Sequence, residues 1–278
     1  MQKVRVREAV FGDGNPRIAV SIIGNTEEEI IEHVKSIMAE ARRLEAEYEG
    51  TGLKVDILEF RADYYENLCN KVLLRDLLEE IRALIDDRIL LFTFRSEEEG
   101  GEFRHDRAGG MLEDIYEWVI NTGCVDMIDV ELMSGGYKVA RKIEKAHEKD
   151  VAVVLSYHNF DHTPHNEKLL DIFKKMEIFG GDILKIATMP KNDFDVRRIL
   201  ELTEIVTGKR TDIKRPIYES IEGIDHPIVM ISMGSKGRRT RTDIRKTGSA
   251  FTFASGTKAS APGQLSIEEL FGILAEEM

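Results

Sequence analysis

The chain has 278 residues, 42% of them hydrophobic and 32% charged, with 39 basic and 51 acidic side chains. A net charge of −12 disfavours nucleic acid and anionic membrane as partners, so any anionic ligand must be captured by a local cationic cluster. No apolar run approaches the ~20 residues that span a bilayer, and the opening MQKVRVREAVFGDG lacks an apolar signal core.

The leading KVRVREAVF alternates polar and apolar residues, which predicts a β-hairpin. RIAVSIIG (17–24) is the first of eight nearly continuous apolar, β-branched runs, the pattern of a strand buried on both faces. A helix follows over 26–47, with Thr26 as N-cap and Glu29 at the capping-box position. Strand VDILEFRAD (55–63) precedes a helix over 74–86, and RILLFTFRS (88–96) precedes one over 112–123. VDMIDVEL (125–132), VAVVLSYHNF (151–160) and ILKIATMP (183–190) alternate with helices over 137–149, 166–180 and 193–208. PIVMISMG (227–234) and AFTFASG (250–256) complete the strands, and a helix over 266–278 ends the chain.

Strands alternating with helices at this spacing imply parallel βαβ units. Eight repeats ending on a helix predict an α/β fold, a (β/α)8 TIM barrel over residues 1–278 as a single domain, with the N-terminal hairpin closing one end. Periodicity alone does not exclude an open, doubly wound sheet. Cys69 and Cys124 form no C-x-x-C pair and read as buried free thiols of a reducing compartment, so a cytoplasmic location is expected.

In a barrel the active site lies at the C-terminal strand ends. Those ends carry Ser21, then Glu59, Arg61 and Asp63, then Arg95 and Ser96, Asp129 and Glu131, Ser156 and His158, and Lys185. Such convergence is costly unless the groups pair or bind something. Lys185 sits inside apolar ILKIA, where burial favours the neutral, nucleophilic amine that condenses with a ketone. The alternative is a structural lysine paired with a neighbouring strand's carboxylate. His158, one strand earlier, can shuttle a proton or be a satisfied core histidine. Glu97, Glu98 and Glu99 precede Gly100–Gly101; they read as a solvated run unless one reaches the barrel mouth to orient the histidine. HNFDHTPH holds His158, His162 and His165, but Pro164 breaks the spacing, so no metal site is expected. MGSKGRRTR (233–241) is a basic cluster suited to an anion or merely a solvated turn. SGTKASAPGQ (255–264) reads as a lid bringing Ser260 and Gln264 to a ligand, or a plain connection.

Seven segments in order, EFRAD, FTFRS with EGG, VDMIDVEL, SYHNF, KIATMP, MGSKGRRTR and FTFASGTKASAPGQ, resemble the type I 3-dehydroquinate dehydratases over nearly the whole chain. The resemblance implies dehydration of 3-dehydroquinate to 3-dehydroshikimate in the shikimate pathway of aromatic amino acid biosynthesis. It implies Lys185 as the Schiff-base lysine, His158 as general acid and base, and Glu99 as its assistant. Ser21, Glu59, Arg61, Arg95, Arg241, Ser260 and Gln264 become substrate contacts, with Arg241 on the carboxylate. Met233 and Phe253 would pack near the bound ring, and Asp129 would orient His158. No metal, nicotinamide or pyridoxal phosphate is implied, and a homodimer is. Phe60 stands where some members have tryptophan, Ile231 where some have methionine, and the segment 208–223 is longer than usual. The rival readings are a class I aldolase-like lyase on the same barrel and an inactive barrel used for binding.

Overall fold

The computed structural model describes residues 1–15, 17–103, 112–211, 224–256 and 263–276. Two short strands, β1 (Val4–Val6) and β2 (Ala9–Phe11), form the expected antiparallel hairpin across a tight turn. Eight parallel strands then follow in sequence order: β3 (Arg17–Ile22), β4 (Val55–Arg61), β5 (Ile89–Thr93), β6 (Met127–Glu131), β7 (Ala152–Asn159), β8 (Ile183–Thr188), β9 (Ile228–Ser232) and β10 (Phe251–Ser255).

Backbone ladders run from β10 through β3 to β9 in order. The ring closes at the N-terminal strand ends through one hydrogen bond, Ala250 N donating to Ile228 O at 2.8 Å. Higher up, β10 pairs instead with β11 (Leu265–Ser266), a two-residue strand that the apolar pattern alone does not signal. The barrel is therefore split between β9 and β10 at the end where the strands finish.

The helices α1 (Glu27–Glu47), α2 (Lys71–Leu84), α3 (Leu112–Asn121), α4 (Gly136–His147), α5 (Asn166–Phe179) and α6 (Asp193–Val206) surround the ring. Thr26 caps α1 by accepting from Glu29 N, while the Glu29 carboxylate reaches Asn25 N, one residue earlier than the expected box. Asn70 accepts from Val72 N and Leu73 N, which starts α2 three residues before the apolar pattern begins. Where the sequence suggested a basic turn after β9, the chain makes a 3-10 turn (Ser235–Gly237) and two short helices, α7 (Arg238–Thr242) and α8 (Ile244–Thr247). The last helix is α9 (Ile267–Glu276).

Alternation along the strands divides the core in two. One layer lies between sheet and helices, with Val20, Leu58, Phe92, Ile128, Leu155 and Ile186 packed on Val34, Leu78, Val139 and Phe173. The other fills the barrel: Ala19, Ile57, Ile89, Met127, Ile183, Val229 and Phe251, plugged by Val6, Ala9 and Phe11 of the hairpin. Phe11 meets Phe251 edge-on, with ring centroids 6.1 Å apart. That plug closes the N-terminal end and leaves the C-terminal end as the site of access. Cys124 is buried and Cys69 half-buried; both are free thiols. Among the described residues no helix is long and apolar enough to cross a membrane.

Candidate active site

Following each strand upward, the interior changes from apolar to ionic. On β4 it runs Ile57, Glu59, Arg61; on β6 Met127, Asp129, Glu131; on β7 Val154, Ser156, His158; on β8 Ile183, Lys185, Ala187. Strand register sets Glu131 beside Ser156 and Ser156 beside Lys185, with Ser21 beside Glu59. Ser21, Glu59 and Lys185 border a pocket of about 300 Å³ at the barrel mouth, with Ser156 and Glu131 behind them.

Asp129 lies at the centre and is fully buried. Its Oδ1 accepts from Ser156 Oγ at 2.6 Å and lies 2.8 Å from Arg95 Nη2; its Oδ2 accepts from Lys185 Nζ at 3.1 Å. Arg95 Nη1 also donates to Glu131 Oε1 and Ser156 Oγ, each at 3.0 Å. Burial opposes the Arg95 charge, but Asp129, Glu131 and Glu99 outweigh it and hold the guanidinium more firmly protonated than usual. Burial likewise opposes the Asp129 carboxylate, yet Arg95 and Lys185 keep it below the ordinary range. Lys185 is thus paired with a carboxylate two strands away, so the isolated apolar setting read from ILKIA is not found. Its Nζ also stands 4.9 Å from the centroid of the Phe253 ring.

Asp129 acts on His158 through its charge, with no hydrogen bond joining the two. The partner of His158 is Glu99, whose Oε2 lies 2.7 Å from Nδ1. Burial, then Glu131 and Asp129 nearby, push the Glu99 carboxyl up to about 8. Burial, then Arg95 and Lys185, hold the imidazole well below its usual range. Both shifts favour the uncharged form of each partner.

The glutamate run reaches the mouth because of the two glycines after it. Ser96 caps a 3-10 turn over Glu97–Glu99 and accepts from Glu99 N. Gly100 adopts φ +84°, and a Cβ there would stand 2.3 Å from the Phe160 ring. A Cβ on Gly101 would stand 1.9 Å from Arg95 O. Only glycine lets the turn fold this tightly, and the turn points Glu99 inward.

On β4, Glu59 accepts from Ser21 Oγ at 2.6 Å and Thr93 Oγ1 at 3.0 Å. Arg61 is held by Asp63 through two bonds, 2.8 and 2.7 Å. Opposite, Arg241 on α7 is 3% exposed and its Nε has no hydrogen-bond partner. No carboxylate offsets it among the described residues, and burial alone lowers it to about 10. Met233, Ile231, Met189, Ala187 and Phe253 form the apolar wall of the pocket that also holds Lys185 and Arg241.

The pocket therefore gathers Lys185, His158, Glu99, Ser21, Glu59, Arg61, Arg95, Arg241, Gln264, Met233 and Phe253. Ser260 lies outside the described residues, as do most of the lid 255–264 and of the segment 208–223. Sequence reasoning missed Tyr64, Glu102, Phe160 and Met189, which also line the pocket. Tyr64 and Glu102 follow their strands rather than ending them, so strand alternation gave no signal. Thr93 was missed too, although it shares the inward face with Arg95 and was legible from alternation. Among the described residues no group of three or more His, Cys, Asp or Glu side chains is placed to hold a metal.

Comparison with known proteins agrees with this geometry. Residues 18–277 match the family model of type I 3-dehydroquinase. The 3-dehydroquinate dehydratase of Listeria welshimeri is 36% identical over 274 residues, covering 99% of this chain and 97% of that protein. That of Salmonella typhimurium is 37% identical, covering 99% and 98%. The crystal structure of the Clostridium difficile type I enzyme, with covalently modified comenic acid, superposes with a TM-score of 0.83 at 35% identity, covering 100% and 99% of the two chains.

Proposed function

This chain belongs to the type I 3-dehydroquinase family, and from that premise we propose that it dehydrates 3-dehydroquinate to 3-dehydroshikimate through an imine on Lys185. The observation that carries the proposal is one pocket holding a lysine amine, a histidine–carboxyl pair and a buried cation that has no counter-charge among the described residues. The substrate is a ring with a ketone, hydroxyls and a carboxylate, and each has a matching group.

Lys185, once it has lost a proton, attacks the ketone and water leaves to give the imine. The protonated imine keeps a positive charge where the ammonium was. Asp129, 3.1 Å away and held ionised by Arg95, stabilises that charge and so maintains the electron sink. Glu99 fixes the His158 ring through Nδ1, leaving Nε2 toward the pocket. With Nδ1–H donating to Glu99, Nε2 of the uncharged imidazole is bare. His158 then takes a proton from the carbon alpha to the iminium. The resulting enamine expels the β-hydroxyl, His158 returns its proton to the leaving water, and hydrolysis frees the product. Arg241 binds the carboxylate, and the apolar wall packs the ring over Lys185.

Incubation with 3-dehydroquinate, borohydride reduction and peptide mass spectrometry test this. An adduct on the Lys185 peptide, absent in Lys185→Ala, is expected. Turnover without any Lys185 adduct would overturn the imine, and absence of both would overturn the dehydratase reading.

A further inference from the structure

We propose that Asp63 is a positioning residue of this site: it fixes the orientation of Arg61, the cation that β4 presents to the substrate. The proposal rests on the dehydratase reading above, in which Arg61 faces the substrate.

The side chain of Asp63 is 0% exposed, yet it lies beside the pocket rather than in it. It accepts four hydrogen bonds. Oδ1 takes Arg61 Nε at 2.8 Å and the Arg95 backbone N at 3.4 Å; Oδ2 takes Arg61 Nη2 at 2.7 Å and the Glu102 backbone N at 3.2 Å. The two amides bracket residues 95–102, the loop that carries Glu99. The two guanidinium bonds form a planar bidentate pair, the geometry that removes most of an arginine's freedom.

Arg61 is then fully specified. Its remaining face stacks over the Tyr64 ring, 5.0 Å from the centroid. Its third nitrogen, Nη1, has no protein acceptor among the described residues. A side chain with four rotatable bonds is reduced to one free nitrogen of fixed direction, its charge balanced by Asp63. Without Asp63 the guanidinium would rotate and turn toward Glu59, which already interacts with it electrostatically. Binding would then have to reorder it, at a cost that falls on substrate affinity. A residue that merely staples the loop would have no such effect on affinity.

The test is a double-mutant cycle on steady-state turnover of 3-dehydroquinate, with Asp63→Asn, Arg61→Ala and the double variant. Asp63→Asn should raise KM about 10- to 100-fold, the range for losing a charged hydrogen bond, with kcat changed less than threefold. In the Arg61→Ala background the same substitution should change KM less than threefold. Asp63→Glu keeps the charge and displaces the carboxylate; it should raise KM at an unchanged melting temperature, and it carries the test if Asp63→Asn does not fold. An equal KM effect in both backgrounds, or a fall in kcat and melting temperature at constant KM, would overturn the proposal in favour of a structural staple. Absence of turnover by the unmodified protein would instead overturn the dehydratase reading itself.

Discussion

Replacing Arg241 by methionine should make the free protein more stable and the enzyme far worse. The guanidinium is 3% exposed, its Nε is unpartnered, and burial alone lowers it from 12.5 to about 10. At ~1.4 kcal/mol per pH unit, that shift is a cost of roughly 3 kcal/mol carried by the folded, empty state. Methionine preserves most of the apolar stem and removes the cost. For a chain of this size each kcal/mol is worth about 2–4 °C, so the melting temperature should rise by roughly 6–12 °C. The same substitution strips the only counter-charge offered to the substrate carboxylate by the described residues on this side of the pocket. Losing one partner of a buried charged pair costs roughly 2–5 kcal/mol, so kcat/KM should fall by at least about 30-fold. Thermal unfolding of both proteins, with and without 3-dehydroshikimate, reads both effects. The ligand should raise the melting temperature of the unmodified protein and not that of Arg241→Met. A lower melting temperature for the free variant would refute the reasoning, because it would make Arg241 a structural residue with partners that stabilise it.

Two more predictions concern the frame of the site. Gly101→Ala places a Cβ 1.9 Å from Arg95 O, forcing the 95–102 loop to move and Glu99 with it; kcat should fall about 100-fold while circular dichroism stays unchanged, and an unaffected kcat would show that Glu99 is not held by this turn. Asp56 fills a bulge between β3 and β4, accepts from Ile18 N, and is raised by burial from 3.8 to about 6. Its folded-state value lies above the unfolded one, so its contribution to stability is complete below pH ~4 and is lost as pH rises through ~6, a loss of roughly 3 kcal/mol. Asp56→Asn should remove that loss: between pH 4 and 7 its unfolding free energy, from urea denaturation, should decline by about that much less than the unmodified protein's, and parallel curves would refute the assignment.

Much of this was legible in the sequence, and for reasons that can be named. Strands buried on both faces must be apolar throughout, so the eight runs stood out, and polar residues at their ends had to be inward-facing or paired. That logic located Glu59, Arg61, Asp129, Ser156, His158 and Lys185. It did not find the partners of Asp129, Ser156 and Lys185, because those lie on other strands and pairing depends on barrel curvature. Asp129 was thus read only as an aid to His158, and its bonds to Lys185, Arg95 and Ser156 went unread. The capping asparagine at position 70 was equally available from sequence, but the apolar period began three residues later and dominated the reading. The split between β9 and β10, and β11 within it, carry no pattern of their own: two residues are too few for a period.

The pairing of the cations explains how so acidic a chain can hold an anion. Arg95 is bonded to Asp129 and Glu131, Lys185 to Asp129, and Arg61 to Asp63. Each of these charges is balanced inside the protein, so each is limited to orienting, hydrogen bonding or reacting. Only Arg241, among the described residues at this mouth, is buried without a compensating carboxylate. A substrate bearing one carboxylate and several neutral oxygens has one orientation in which its charge meets the unbalanced cation. On the proposed reaction that orientation would set its ring against Met233 and Phe253, with the remaining oxygens toward β4 and β8, whose side chains line the same pocket. The reverse orientation would bury the carboxylate beside Glu59 and leave Arg241 unmatched, two unfavourable contacts in place of one favourable one. Orientation, and with it which carbon meets Lys185, therefore follows from where the protein leaves a charge unbalanced.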